Sequence, residues 1–221
     1  MVLISGVDEA GRGPVIGPLV IAGVSIEETD LPKLVDIGVK DSKLLSPQKR
    51  ESLASQIKEL AHNWHIVSLS PAEIDEVVES KIKLHKLNRL EAKAMANVIA
   101  VLKPDVAYVD ASDVIAERFG DHIAENLHFK LKIVSEHKAD KKYPVVSAAS
   151  ILAKVERDNV ISQLKKQHGN LGCGYPSDSK TIKFLEDCIR KFGSYPDFVR
   201  KSWKTSKRVK SKADLQQKTL Q

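Results

Sequence analysis

Residues 6–14 read Gly-Val-Asp-Glu-Ala-Gly-Arg-Gly-Pro and join a predicted strand to a glycine-rich turn. The strand is predicted from the apolar run over residues 2–7. Two adjacent carboxylates, Asp8 and Glu9, follow at its end, and buried carboxylates need a compensating partner. The glycines let backbone approach a ligand closely, and the arginine between them can reach an anion or a hydroxyl. The stretch indicates a metal ion beside a phosphate, with a solvated acidic turn as the alternative.

The charge of the chain is concentrated at its C-terminal end. The chain has 221 residues, 42% of them hydrophobic and 29% charged, as in a globular protein of one sizeable domain. Eight Lys or Arg residues and one acid fall within residues 200–221, so this segment carries a formal charge of +7 and the rest about −1. A basic segment beside a neutral body indicates contact with a polyanion, although a solubilising end has the same composition.

Cysteine usage and hydropathy indicate an intracellular protein. Cys173 and Cys188 form neither a disulfide framework nor a set of metal ligands, so we expect free thiols in a reducing compartment. We find no targeting signal, and no apolar segment reaches the length of a membrane span. A monomeric, cytoplasmic protein without membrane contact is expected.

The hydrophobic pattern predicts an α/β fold with a mixed sheet. Strands one and two are close in sequence and predict an antiparallel pair, whereas residues 84–134 alternate helix, strand, helix, strand and predict a parallel pair. After the first strand, further strands are predicted at residues 19–26, 64–69, 106–109 and 130–134. Helices are predicted to begin at Ser46-Pro47 and after Ser70, and to span residues 84–102, 113–127, 145–168 and 177–192.

Four acids follow the ends of three predicted strands. Asp8 and Glu9 end the first strand, Asp110 ends the fourth, and Asp140 comes after the fifth. Ligands gather outside the carboxyl ends of strands in open α/β sheets, so these side chains should converge. Clustered carboxylates repel one another unless cations neutralise them, and all-oxygen ligation favours Mg²⁺ or Mn²⁺.

Two such ions, about 3.5–4 Å apart, could serve in-line cleavage of a phosphodiester. One geometric reservation concerns Asp8 and Glu9, because successive side chains of a strand point to opposite faces. If both acids bind metal, the strand must twist or bulge there, or Glu9 must use its backbone carbonyl.

A polar stripe marks the otherwise apolar helix at residues 145–168. Ser147, Ser150, Lys154 and Asp158 share one helical face, which either meets solvent or lines a site. The first three could support the carboxylates. His137 could shuttle protons, but a histidine in a polar loop is usually only solvated.

Six short motifs in order resemble those of ribonuclease HII, and the archaeal branch is the most similar. They are residues 6–14 quoted above, DSK at 41–43, YVD at 108–110, HKAD at 137–140, SAASILAK at 147–154 and GYPSD at 174–178. The resemblance covers roughly residues 2–205. It implies a ribonuclease H-like α/β fold, with a mixed five-stranded sheet flanked by helices. We expect a catalytic core over residues 1–170 and a small C-terminal helical subdomain with the basic tail over residues 171–221.

The resemblance also implies roles for individual residues. Asp8, Glu9, Asp110 and Asp140 match the family's catalytic, metal-binding carboxylates, which would hold Mg²⁺ or Mn²⁺, two ions with substrate bound. Gly11, Arg12 and Gly13 match a motif that contacts the ribonucleotide 2′-hydroxyl largely through backbone. Tyr175 matches a tyrosine that packs on the sugar at the RNA–DNA junction, and Lys43 matches a phosphate-contacting lysine.

The implied activity is divalent-metal-dependent endonucleolytic hydrolysis. It would degrade the RNA strand of RNA–DNA hybrids and nick 5′ to ribonucleotides embedded in duplex DNA, leaving a 3′-hydroxyl and a 5′-phosphate, in ribonucleotide removal and primer processing. The alternatives are a type III ribonuclease H-like hybrid nuclease and a non-catalytic nucleic-acid-binding or clamp-adaptor protein. The sequence over Gln217–Leu220 begins like a sliding-clamp-binding peptide but lacks its aromatic residues.

Overall fold

The computed structural model describes residues 2–39, 45–81 and 86–219, with side chains as far as residue 215. Its centre is a five-stranded mixed sheet with the strand order β3-β2-β1-β4-β5. Strand β1 pairs antiparallel with β2 and parallel with β4, and β4 pairs parallel with β5. The predicted α/β class and both predicted pairings are confirmed. The strands are β1 (Leu3–Ala10), β2 (Leu19–Glu27), β3 (Asn63–Leu69), β4 (Val106–Asp110) and β5 (Lys132–Glu136).

Three helix ends carry capping residues. Ser46 accepts a hydrogen bond from the Lys49 N–H, Ser70 and Glu73 form a reciprocal capping box, and Gly193 ends a helix in the left-handed conformation. After a single 3₁₀ turn at Glu28–Asp30, the helices are α1 (Leu31–Asp36), α2 (Pro47–Leu60), α3 (Pro71–Glu79), α4 (Lys86–Leu102), α5 (Ala116–Ala124), α6 (Ala139–Lys142), α7 (Pro144–His168), α8 (Ser179–Phe192) and α9 (Lys204–Thr219).

Several predicted boundaries differ from the structure. Strand β1 continues to Ala10, so the acids at residues 8 and 9 lie inside the strand. Strand β5 lies two residues later than predicted, because pairing with β4 sets its register from Val106 opposite Lys132. Helix α5 begins at Ala116 instead of residue 113, because the Asp113 carboxylate accepts hydrogen bonds from the Ile115 N–H and the Arg118 guanidinium.

The chain packs as two compact units that alternate along the sequence. Unit 1 comprises Met1–Ala10, Val20–Ser68 and Leu84–Glu156, and unit 2 comprises Gly11–Leu19, Leu69–Lys83 and Arg157–Gln221. The boundary predicted between residues 170 and 171 stays a prediction of domain organisation. No helix in the described ranges is long and apolar enough to cross a bilayer.

Each unit has its own hydrophobic core. In unit 1 the first half of α7 is buried against β1, where Gly6 allows the closest approach: a Cβ there would overlap the backbone of Val145 and Val146. In unit 2 the core forms between the loop after β1 and the C-terminal helices, and it includes Val15, Ile16, Ile161, Leu185 and Val199. Burial of these side chains fixes the chain segments that carry the predicted site residues.

Candidate active site

Three of the four predicted carboxylates come together in unit 1. Oxygen atoms of Asp8, Asp110 and Asp140 all lie within 4.8 Å of one another. The sheet explains the first two: Val7 pairs with Val109 in the parallel strands β1 and β4, so the residues that follow, Asp8 and Asp110, lie on neighbouring strands at the same level. Such a set of carboxylate oxygens could hold a divalent metal ion.

Asp140 reaches the group through a sharp turn after β5. Lys138 adopts a left-handed conformation, with φ of 59°, and the chain then enters α6. The Ala139 N–H at the start of this helix donates to an Asp110 carboxylate oxygen at 3.0 Å. This hydrogen bond ties the turn to the end of β4 and holds Asp140, which is itself buried, beside Asp110.

The electrostatics of the group are unfavourable without a cation. Asp8 is 4% exposed, and its burial raises the pKa of this carboxyl well above the usual value. The negative charges of Glu9 and Asp110 raise the pKa of Asp8 further, while hydrogen bonds from Ser150 and from the Glu9 N–H, at 2.7 Å, oppose the shift. A bound cation would relieve both the burial cost and the repulsion.

Glu9 is placed differently from the other three acids. Strand β1 keeps an uninterrupted one-to-one register with β2, with Asp8 opposite Ala22 and Glu9 opposite Ile21. Adjacent side chains of such a strand point to opposite faces, and Glu9 is not among the three converging carboxylates. The negative charge of Glu9 still raises the pKa of Asp8. The role of Glu9 as a metal ligand stays a prediction.

The side chains of the polar stripe on α7 have different hydrogen-bond partners. Lys154 Nζ donates to Ser150 Oγ at 2.7 Å, and the Ser150 hydroxyl hydrogen-bonds the Asp8 carboxylate. Ser147, in contrast, donates to the Val39 carbonyl and closes a contact inside unit 1. Nearby, His137 Nε2 lies 3.2 Å from the Val114 carbonyl oxygen. Lys154 and Ser150 thus form a hydrogen-bonded chain to Asp8, whereas Ser147 bonds the Val39 carbonyl, and their support of the site stays a prediction.

Unit 2 brings together the glycine-arginine loop, defined as residues 11–13, and Tyr175. Gly11 has a φ of +90°, and a Cβ there would lie only 2.6 Å from the Pro18 carbonyl oxygen. A Cβ on the exposed Gly13 would lie 3.7 Å from Cε1 of Tyr175, so the ring stands directly beside the loop. The ring remains 40% exposed, which leaves one side for a ligand.

The comparisons with known proteins agree with this geometry. The family model described as ribonuclease HII matches residues 5–206. The chain belongs to the ribonuclease HII family. It is 51% identical to a ribonuclease HII of Thermococcus sibiricus over 95% of this chain and 92% of that one. The crystal structure of the ribonuclease H2 from Pyrococcus horikoshii is 43% identical, with a TM-score of 0.88 over 95% of this chain and 98% of that one.

A second solved relative is a ribonuclease HII from Archaeoglobus fulgidus in complex with PCNA. It is 44% identical, with a TM-score of 0.83 over 93% of this chain and 96% of that one. The predicted membership of the ribonuclease HII family, the ribonuclease H-like fold and the enzymatic class are thereby confirmed. The chain is an endoribonuclease of this family.

Two buried arginines were missed as individual site residues by the sequence analysis. Arg157 is 7% exposed, and its guanidinium carbon lies 5.1 Å from the centroid of the Tyr175 ring, while Nη2 donates to the Cys173 carbonyl at 3.0 Å. Arg200 was counted with the basic tail, but it is 0% exposed, so its assignment to the polyanion-binding surface was wrong. A buried partner of this kind leaves no periodic signal in the sequence.

Several predicted features lie elsewhere. Lys43 lies outside the described residues, and so does Leu220, the last residue of the clamp-like peptide. Cys173 is exposed and Cys188 is buried, and both are free, as predicted. A cavity of about 850 Å³ in unit 2, lined by Phe184, Tyr195 and Phe198 among others, contains none of the predicted site residues that the structure describes.

Proposed function

We propose that Asp8, Asp110 and Asp140 hold the divalent ions of a hydrolytic centre that nicks 5′ to ribonucleotides in duplex DNA and degrades the RNA strand of RNA–DNA hybrids. The observation that carries this proposal is the convergence of their oxygens within 4.8 Å in unit 1. We propose Glu9 as a fourth member, through its carboxylate or its backbone carbonyl. The products would be a 3′-hydroxyl and a 5′-phosphate.

The donor set fits Mg²⁺ or Mn²⁺. All three converging groups are carboxylates, and hard divalent cations prefer oxygen ligands. Burial, and after it the negative charges of Glu9 and Asp110, raises the pKa of the Asp8 carboxyl, and a bound cation would oppose both effects. Bound divalent ions, two with substrate present, would supply Lewis-acid stabilisation of the attacking and leaving oxygens.

The chain's own residues position this centre. The Ser150 hydroxyl donates to the Asp8 carboxylate and accepts from the Lys154 ammonium group. The Lys154 ammonium group polarises the Ser150 hydroxyl, which strengthens its hydrogen bond to Asp8. This arrangement favours the ionised, metal-binding form of Asp8 against the effect of burial. The Ala139 N–H donates to the Asp110 carboxylate and so holds the orientation of that side chain.

The glycine-arginine loop and Tyr175 are proposed to read the ribonucleotide. The 2′-hydroxyl distinguishes RNA from DNA, and a loop with exposed glycine backbone can approach it closely. Tyr175 stands beside Gly13 and offers an exposed ring on which a sugar could pack. We propose that Lys43 contacts a phosphate, in keeping with the family motif that it matches.

Sliding-clamp binding is a separate proposal. The Archaeoglobus relative was solved as a complex with PCNA. In this chain, Gln217–Leu220 would be the contact, although the peptide lacks the usual aromatic residues. Calorimetric titration with the cognate clamp should show binding, and deletion of residues 217–221 should abolish it. If the full chain shows no detectable heat of binding, the proposal is wrong.

Cleavage of a labelled DNA duplex with one internal ribonucleotide tests the main proposal. The reaction is run with Mg²⁺, with Mn²⁺ and with chelator, beside an all-DNA duplex and an Asp110→Asn variant. We expect one metal-dependent nick on the 5′ side of the ribonucleotide, absent in the variant. Cleavage restricted to long hybrids would indicate type III specificity, and salt-sensitive binding without cleavage would indicate an adaptor.

A further inference from the structure

Arg200 makes three side-chain hydrogen bonds to backbone carbonyls, two within the glycine-arginine loop and one shortly after it. Its Nη2 donates to the Gly11 carbonyl at 2.5 Å, its Nη1 to the Arg12 carbonyl at 2.9 Å and its Nε to the Gly17 carbonyl at 3.1 Å. The Arg200 N–H also donates to the Val15 carbonyl at 2.9 Å. All of these groups belong to unit 2, and the side chain is fully buried. The guanidinium thus contacts each carbonyl that brackets Arg12.

These hydrogen bonds determine where the loop's amide groups point. The described chain contains no cis peptide bond, and in a planar trans peptide the C=O and the following N–H point in opposite directions. Because the carbonyls of Gly11 and Arg12 point at the guanidinium, the N–H groups of Arg12 and Gly13 are directed away from it. Two successive N–H donors then face the side opposite Arg200, as a backbone reader of a hydroxyl oxygen requires.

The segment that carries Arg200 is itself held firmly. The Asp75 carboxylate accepts from the Lys201 N–H at 2.7 Å and the Ser202 N–H at 3.0 Å. On the other side, the Trp203 ring lies 4.8 Å from the guanidinium carbon, and its indole Nε1 donates to the Gly13 carbonyl at 3.3 Å. The third carbonyl of the loop is therefore bound by the same short segment.

We propose that Arg200 is a positioning residue for ribonucleotide recognition, because it sets the two peptide planes whose N–H groups face the 2′-hydroxyl. The inference rests on the proposed function of the glycine-arginine loop and extends it to a residue that does not touch the substrate. Trp203 assists by holding the third carbonyl. The basic C-terminal segment therefore begins with a buried residue that positions the glycine-arginine loop.

Only an arginine satisfies this geometry. The guanidinium is planar and presents Nε, Nη1 and Nη2 in a fixed fork, so one side chain can meet three carbonyls at set angles. A lysine ammonium is a single point donor on a flexible stem and cannot hold both peptide planes. Arg200→Lys thus keeps the charge and removes the orientation.

The test compares full-length wild type, Arg200→Lys and a matched Arg190→Lys control. Arg190 is an exposed arginine of α8 in unit 2 that pairs with Asp187, so its substitution reports the general effect of this exchange. We measure kcat and KM on the single-ribonucleotide duplex. We also measure the ratio of Kd values for the all-DNA and ribonucleotide duplexes, with Asp110→Asn added to each protein to prevent cleavage.

Arg200→Lys should lower kcat/KM on the ribonucleotide duplex by about 10- to 100-fold and lower the Kd ratio by a similar factor. The Mg²⁺ concentration for half-maximal rate and the Arg190→Lys values should stay at wild-type levels. An unchanged Kd ratio, with only a smaller active fraction by active-site titration, would show a merely structural role and overturn the inference.

The proposed function can fail separately from this inference. If wild type neither nicks the ribonucleotide duplex nor binds it more tightly than all-DNA duplex, the function itself is wrong. If circular dichroism shows that Arg200→Lys is unfolded, Trp203→Phe replaces it in the test. This substitution removes the indole N–H donor and keeps an aromatic ring. We expect Trp203→Phe to lower the Kd ratio about two- to fivefold, and an unchanged ratio would overturn the inference.

Discussion

The two candidate sites differ in what holds them in place. In unit 1 the acidic group of Asp8, Asp110 and Asp140 consists of side chains of like charge, and burial and mutual repulsion raise the pKa of Asp8. In unit 2 the glycine-arginine loop is held by a buried guanidinium that satisfies its carbonyl oxygens. The first arrangement is unfavourable until a cation binds, whereas the second is complete within the protein.

This difference separates chemistry from recognition. If the acidic group acts on the reacting phosphate, as proposed, a substitution there should change the metal dependence and the rate of the chemical step. If the glycine-arginine loop contacts the 2′-hydroxyl, as proposed, a substitution in or behind the loop should change the preference for a ribonucleotide.

The largest effect is expected from Asp140→Asn. Removal of one converging carboxylate should lower kcat by at least about 10³-fold, because the ions would lose both a ligand and a neutralising charge. Single-turnover cleavage of the ribonucleotide duplex measures this rate. Residual cleavage should keep its position 5′ to the ribonucleotide, and a shifted position would show that the two sites are not separable.

A smaller effect is expected at Tyr175. Tyr175→Ala removes the exposed ring beside Gly13 and should lower kcat/KM on the ribonucleotide duplex by about 10- to 100-fold, with the metal dependence unchanged. Tyr175→Phe keeps the ring and serves as the matched control, with activity near wild type. Normal cleavage by the alanine variant and failure of the phenylalanine variant would exclude the packing role.

The pH dependence of stability tests the electrostatic side of the comparison. Because the pKa of Asp8 is raised above its usual 3.8, the folded protein binds more protons than the unfolded chain over that interval. The metal-free protein should therefore lose stability as pH rises from about 4 through the raised pKa, and Mg²⁺ should restore stability at neutral pH.

Asp8→Asn should remove most of this pH dependence. In chelator at pH 7 the variant should be more stable than wild type by about 1 kcal/mol, and its stability should respond less to Mg²⁺. Denaturant unfolding at several pH values gives the free energies. A variant that is less stable than wild type in chelator would show that the acidic group is not under electrostatic strain.

The smallest effect is expected from the exposed basic residues of α9. Replacement of Lys204, Lys210 and Lys212 by glutamine should weaken duplex binding several-fold at low salt and flatten its salt dependence, because fewer phosphate contacts release counterions. The cleavage position should not change, and Arg200 must be left intact. A changed ribonucleotide preference would place these lysines with the recognition loop.

The sheet and the acidic group were largely predictable from the sequence. Apolar runs ending in acids predicted β1 and β4, and the alternation of helices and strands predicted the parallel pairing of β4 with β5. Because ligands gather at the carboxyl ends of strands, Asp8, Asp110 and Asp140 were expected to converge, together with Glu9. Boundaries were less predictable where side chains compete with the backbone. Asp113 delays the start of α5 because its carboxylate captures a backbone N–H and a guanidinium.

The support of each site was decided only by tertiary structure. The stripe on α7 did not reveal that Ser150 contacts Asp8 while Ser147 contacts the Val39 carbonyl. Arg200 looked like one of many basic residues near the C-terminus, yet its guanidinium is buried against carbonyls more than 180 positions earlier in the sequence.

By itself, the sequence determined the fold class, the family and the identity of the converging acids, because these depend on local periodicity and on residue type. The tertiary structure decided the regular strand register that places Asp8 and Glu9 on opposite faces of β1, and the hydrogen bonds by which Arg200 holds the glycine-arginine loop. The physical reason is that hydrogen bonds between distant segments depend on packing, which periodicity along the chain does not encode.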